Sequence, residues 1–281
     1  MLRGVTGGLD LEVLRGIRGR QRPGTAVLRA RIGEHLREHE GYVAFSGGKD
    51  SLVVLDLARQ VDPGVPVVFF DSGLEFPETY VYLEELARRW RLNLDVIPAQ
   101  PGLLEILIAG GRWDHHAPAV ESPPVALHEA LIARPAAIAH RRHGRGELWG
   151  VRAAESAGRR VAYAKALAGA ECHCRPECVN AAARRAQHGG QIVRADGTIA
   201  FGPIWDWPHT TVWEHIAGCG LPINPVYAVL RAIGAPSDAL RVSHMLDATR
   251  VEDGRVVWLR RGWPALFNEL ATLLPRLKEF V

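Results

Sequence analysis

Apolar residues come in short blocks that switch between two periods along the first part of the chain. Val27, Leu28, Ile32 and Leu36 fall at helical spacing and predict a helix over residues 25–40, with Thr25 as N-cap after Pro23-Gly24. An apolar run, Tyr42-Val43-Ala44-Phe45, follows and stops at Ser46-Gly47-Gly48. Leu52, Val53, Leu55, Leu57 and Ala58 then supply a second helix up to about Gln60. Pro66-Val67-Val68-Phe69-Phe70 is a continuous apolar strand, the kind buried on both faces of a parallel sheet. Pro77 opens a third helix through Tyr80, Leu83, Leu86, Ala87 and Trp90, and Leu92 to Ile97 reads as a third strand ended by Pro98. This β-α-β-α-β alternation within residues 42–98 predicts an α/β fold with a doubly wound parallel sheet and right-handed crossovers.

Residues 101–146 are less regular, with helices expected near 102–109 and 124–134. Glu147 to Val151 reads as a further strand, and a small hairpin is expected over 191–201 with Asp196-Gly197 at its turn. The rest is a segment rich in Trp and Pro with short helices. The composition shift near residue 158 divides the chain into an extension (1–24), an α/β core (25–157) and a smaller C-terminal lobe (158–281) holding the cysteines and several tryptophans.

Composition narrows the class without naming a function. At 281 residues, 47% hydrophobic and 23% charged, the chain is globular rather than disordered or fibrous. A formal net charge of +3 does not by itself point to nucleic acid. Lys49, Lys165 and Lys278 are the only lysines, so nearly all the positive charge is arginine. No stretch reaches the roughly 18–20 apolar residues of a membrane span. The first twenty residues lack the apolar centre of a signal peptide, so no membrane association and a cytoplasmic location are expected.

The sharpest chemical signal is Ser46-Gly47-Gly48-Lys49-Asp50-Ser51, between a strand and a helix. Two glycines let backbone N–H groups approach an anion, and the following helix points its positive end there. Ser46 and Ser51 add hydroxyls, Lys49 adds a charge, and Asp50 suits the Mg²⁺ that a polyphosphate carries. The common ATPase loop does not fit, because Val43 stands where its first glycine would fall.

SGGKDS resembles the PP-loop of the adenine-nucleotide alpha-hydrolase superfamily. Three further stretches resemble its phosphoadenylyl-sulfate (PAPS) reductase branch. They are Phe70-Asp71-Ser72-Gly73-Leu74-Glu75-Phe76-Pro77-Glu78-Thr79, Gly150-Val151-Arg152-Ala153-Ala154-Glu155-Ser156, and Pro203-Ile204-Trp205-Asp206-Trp207 with Leu221-Pro222-Ile223-Asn224-Pro225-Val226-Tyr227. The resemblance implies a HUP-like fold that binds ATP with Mg²⁺ through Ser46 to Ser51, Asp71, Ser72, Gly73, Arg152, Glu155 and Ser156. Lys49, Asp50 and Arg152 are its expected catalytic residues. Arg152 would clamp a phosphate or sulfate oxygen, the plainer alternative being a surface salt bridge to Glu155. Glu78 reads as a helix start, and Trp205, Trp207 and Trp213 as core.

Similar reductases carry a nucleophilic cysteine near their C-terminus, whereas no cysteine follows Cys219 here. The favoured expectation is therefore an ATP pyrophosphatase that releases AMP and pyrophosphate while adenylating a substrate for sulfur transfer. Its implied partners are that substrate, a sulfur donor such as a cysteine desulfurase, and a nucleic acid, within a complex or homo-oligomer. The alternatives are a PAPS or adenylyl-sulfate reductase, a sulfate adenylyltransferase subunit, and a nucleotide-binding partner without turnover.

Cys172, Cys174 and Cys178 crowd into one short stretch, with Cys219 or His188 as a fourth ligand for zinc or an iron–sulfur cluster. A sulfur relay through one low-pKa thiol, or three plain thiols, fits the same spacing.

Overall fold

The computed structural model describes residues 25–117, 125–171, 181–237, 240–243, 246 and 255–281. Cys172, Cys174 and Cys178 lie outside the described residues. Among the described residues the order begins with α1 (Thr25–His39), β1 (Gly41–Ala44), α2 (Lys49–Arg59), β2 (Pro66–Asp71), α3 (Pro77–Trp90), β3 (Asn93–Pro98) and α4 (Leu103–Ala109). Then follow α5 (Arg134–His143), β4 (Gly146–Trp149), α6 (Ala157–Glu171), α7 (Ala181–His188), β5 (Gln191–Val193), β6 (Ile199–Phe201) and α8 (His209–Cys219). The last elements are α9 (Val226–Ala232), α10 (Arg255–Gly262), α11 (Pro264–Leu273) and a 3₁₀ turn at Pro275–Phe280.

Six strands form one sheet in the order β3-β2-β1-β4-β6-β5. β4 pairs parallel with β1 (Gly41 opposite Gly146, Val43 opposite Leu148) and parallel with β6. β5 runs antiparallel to β6. The order steps outward from β1 to β3 and then resumes on the other side with β4. Their shared carboxyl ends are thus a topological switch point, where open α/β sheets receive ligands.

The chain divides into two compact units, each built from separate segments. The first takes the residues up to Phe45, then Lys49–Val67 and His140–Ile223. Its core buries Tyr42, Val43, Leu52, Leu55, Leu148 and Phe201. The second takes Ser46–Gly48, Val68–Ala139 and Asn224–Val281, and buries Val68, Phe69, Leu83, Ile106, Val226 and Phe267. These units do not follow the expected boundary at residue 157: β5 and β6, assigned to a C-terminal lobe, extend the sheet beside β4.

The expected helix at 124–134 instead runs on to His143. A wide π turn at Glu129–Ala133 precedes α5, with the Arg134 N–H donating to the Glu129 carbonyl. Pro135 has no N–H to give, so the turn ahead of it relaxes without losing a bond at that position. The hairpin matches its expectation. Asp196 Oδ1 accepts from the Thr198 N–H at 2.9 Å and its hydroxyl at 2.7 Å, while Gly197 takes a φ of +81°. Among the described residues no helix is long and apolar enough to cross a membrane.

Candidate nucleotide-binding site

In the first unit, α2 begins at Lys49, just past the carboxyl end of β1. Its first N–H groups and its dipole make that end positive, and Asp50 in the first turn is favourably placed in the same field. Lys49 is 6% exposed and Ser51 is buried with it. Lys49 Nζ lies 2.7 Å from Asp50 Oδ2, and Arg152 Nε lies 2.6 Å from Asp50 Oδ1. One carboxylate therefore holds two cations at the start of the helix.

Arg152 follows β4 and is 4% exposed. Its Nη1 donates to the Trp207 carbonyl at 3.1 Å. The other terminal nitrogen has no hydrogen bond among the described residues. The expected alternative for Arg152, a surface ion pair with Glu155, is not what forms. The Glu155 carboxylate instead accepts from the Arg152 backbone N–H at 3.0 Å and pairs with Arg159. Ser156 Oγ accepts from the Arg159 N–H at 3.2 Å. Glu155 and Ser156 thus fasten the turn into α6.

Gly150 explains how the end of β4 comes so near α2. A Cβ placed there would sit 2.5 Å from the Ser51 backbone nitrogen, closer than any side chain tolerates.

In the second unit, Gly47 adopts a φ of +72°, the left-handed region. Asn224, 1% exposed, supports this bend. Its Nδ2 donates to Thr79 Oγ1 at 3.0 Å and more weakly to the Gly47 carbonyl at 3.5 Å, while its Oδ1 accepts from the Val226 N–H at 3.0 Å. Gly48 lies near the Tyr227 hydroxyl, 3.6 Å from where its Cβ would stand. No functional role for Asn224 was legible in its flanking sequence. The Asn-Pro pair is the trace it leaves.

Asp71 ends β2 and its Oδ1 accepts from the Gly73 N–H and the Tyr80 hydroxyl, each at 2.8 Å. Burial raises the Tyr80 phenol well above its usual range, and the bond to Asp71 adds to the effect. Ser72 Oγ donates to Glu75 Oε1 at 2.7 Å and accepts from the Leu74 N–H at 3.2 Å. Burial pushes the Glu75 carboxyl up to about 7, with the Ser72 bond opposing and the charge of Asp71 reinforcing it. Glu78 accepts from Trp263 Nε1 at 2.9 Å on both oxygens, a structural bond in keeping with a helix-start reading. Trp205 and Trp213 are buried, as their core reading requires, and Trp207 is half-buried.

Cys219 is an exposed thiol at the end of α8, 3.7 Å from His215 Nε2. Asp56, His215 and Cys219 form a group with metal-ligating potential among the described residues.

A mostly parallel sheet, a glycine loop leading into α2 at the switch point, and a buried arginine after β4 define an α/β protein of the PP-loop nucleotide-binding class. Within that class the chain belongs to the PAPS reductase family. Residues 40–235, more than half its length, match the phosphoadenosine phosphosulfate reductase domain. A phosphoadenosine 5′-phosphosulfate reductase of Alteromonas mediterranea is 46% identical over 57 residues, 20% of this chain and 23% of that protein. An adenosine 5′-phosphosulfate reductase of Pseudomonas aeruginosa is 24% identical over 207 residues, 69% of this chain and 63% of that protein. The matches to both relatives thus span less than two thirds of their lengths. A PAPS reductase from Candida auris, solved with phosphate, aligns with a TM-score of 0.48 and 17% identity over 84% of this chain and 97% of that one.

Proposed function

We propose that this chain is an enzyme of sulfonucleotide chemistry that binds an adenosine phosphosulfate and passes its sulfonate group to a thiol, from which a reduced dithiol releases sulfite. The names of its relatives support this reading above the ATP pyrophosphatase expected from the sequence. The observation that carries it is Arg152: a buried guanidinium fixed by Asp50 and Trp207, with one nitrogen left for an anion. Lys49, the first turn of α2 and Arg152, all in the first unit, would hold the phosphosulfate oxygens. A thiolate attacks sulfur, the S–O bond to the nucleotide breaks to leave an S-sulfonated thiol, and the nucleotide departs with its phosphate charge stabilised by the same cations. A thiolate of a reduced dithiol then attacks the thiol sulfur, the S–S bond to the sulfonate breaks, sulfite leaves, and the second thiol of the reductant closes a disulfide that frees the enzyme thiol. Cys172, Cys174 and Cys178 supply candidate thiols or, bound to zinc or iron–sulfur, a structural clamp.

A second reading retains ATP and Mg²⁺. Every group in the Lys49–Asp50–Arg152 cluster acts electrostatically, which also suits pyrophosphate as a leaving group. The substrate so adenylated would take sulfur from a desulfurase-type donor, and it includes nucleic acid among its classes.

One pair of assays separates the two. The protein is given adenosine 5′-phosphosulfate with a reduced dithiol, and separately α-labelled ATP with Mg²⁺. Sulfite from the first supports reduction; AMP plus pyrophosphate from the second replaces it with adenylation. In whichever reaction is found, Lys49→Ala and Arg152→Ala should each lower the rate on the order of 10²–10³. Arg152→Lys should rescue little, because a single ammonium cannot meet Asp50, Trp207 and an anion in a planar fork. Full turnover by a folded Arg152→Ala protein would remove Arg152 from the site.

A further inference from the structure

On the first unit, helix α8 carries His215 and Cys219 four residues apart, so both side chains share one face. Asp56, on α2, meets them there. Its Oδ2 lies 2.9 Å from His215 Nε2, and Cys219 Sγ lies 3.7 Å from the same nitrogen. The three donor atoms all fall within 4.8 Å of one another. His215 is 3% exposed, Asp56 is half-buried, and Cys219 opens to solvent. Gln60 Nε2 donates to the same Asp56 oxygen at 3.0 Å and steadies the carboxylate.

One imidazole nitrogen thus faces both a carboxylate oxygen and a sulfur. It carries at most one proton and can give it to only one of them. A nucleophile–base–carboxylate relay would use the two ring nitrogens in series. Here Nδ1 is buried with no hydrogen-bond partner among the described residues, so the ring does not bridge the other two groups. A cation placed among the three atoms satisfies all of them at once.

We propose that Asp56, His215 and Cys219 form a binding site for a divalent cation of zinc's class, with a fourth position open to solvent. Tetrahedral zinc with its usual bond lengths to nitrogen and sulfur separates those two ligands by about 3.6 Å, close to the distance between His215 and Cys219. The carboxylate has only to draw back by about 0.5 Å for the same geometry. Mixed nitrogen, sulfur and oxygen donors select zinc over magnesium or calcium, which take oxygen ligands. Bound there, the ion would tie α8 to α2, the helix whose first turn holds Lys49 and Asp50.

The test uses the full chain and Zn²⁺ alone as probe. The protein is alkylated with iodoacetamide with and without Zn²⁺, and modification of each cysteine is followed by peptide mass spectrometry. Zn²⁺ should slow alkylation of Cys219 on the order of tenfold or more, since coordination removes the free thiolate. Asp56→Asn and His215→Gln should each abolish the protection of Cys219 without changing that of Cys172, Cys174 or Cys178. Equal alkylation with and without Zn²⁺ overturns the proposal, as does protection that survives both substitutions. Cys219→Ser, at an exposed position, provides a check that does not depend on the buried variants folding. It should bind one equivalent of Co²⁺ fewer than the parent, and an unchanged stoichiometry counts against the site.

Discussion

Glu75 shows how much one side chain can write into the pH behaviour of the whole protein. Its folded carboxyl sits at about 7, raised chiefly by burial, against 4.5 for the free group. Between those values the folded chain holds a proton that the unfolded chain has released. Folding therefore weakens as pH rises through this window, by an amount on the order of 2 kcal/mol if no other group compensates. Glu75→Gln keeps a hydrogen-bonding partner for Ser72 and removes the titration. Urea unfolding at pH 5 and pH 8 should show the parent losing stability on going to pH 8 and the variant losing much less. Equal losses would mean that Glu75 is ionised at little cost in the fold.

Elements meet at backbone distances in only a few places, and the end of β4 beside the start of α2 is the tightest of them near Lys49. Gly150→Ala would force a methyl carbon to within 2.5 Å of the Ser51 nitrogen. Neither partner is a flexible side chain, so strand or helix must shift. Overpacking of this kind costs about 1–3 kcal/mol. Ligand affinity should fall more than stability suggests, because the shift lands on the first turn of α2. Calorimetric titration beside a thermal melt reads both, and an alanine variant that binds as well as the parent would show that this approach is incidental. β1 to β4 and the loop after β1 were legible because apolar runs there are cut by Gly and Pro. α6 was not. Among its described side chains only Tyr163 is buried, so no apolar stripe marks it in the sequence, although its alanines favour helix. Asn224 stood in a quoted stretch without a role for another reason: its partners, Thr79 and Gly47, are remote in sequence, so the Asn-Pro pair marks the residue but not what it meets.

At the scale of the molecule, the expected core of residues 25–157 leaves out strands of its own sheet. β4 pairs with β6 through Gly146 opposite Ile199 and Leu148 opposite Phe201, and both lie beyond that boundary. The second unit likewise draws Asn224–Val281 onto Val68–Ala139. A composition shift near residue 158 reports a change in surface chemistry, whereas the strand order is set by pairings that composition does not encode. A fragment ending at residue 157 should therefore lose the cooperative unfolding of the full chain, with β4 left as an unpaired apolar edge. Circular dichroism and urea titration of the fragment check this. A sharp transition equal to that of the whole protein would restore the boundary.

Lys49 is sealed at the start of α2, and the only other lysines, Lys165 and Lys278, stand in solvent. The protein consequently carries a built-in clock for its own breathing. Reductive methylation should mark Lys165 and Lys278 quickly and Lys49 only when the first turn of α2 opens, so the lag of the third modification measures that opening. An anion seated beside Arg152 should lengthen the lag, and Lys49 reacting as fast as the other two would show that the helix start is open to reagent all along.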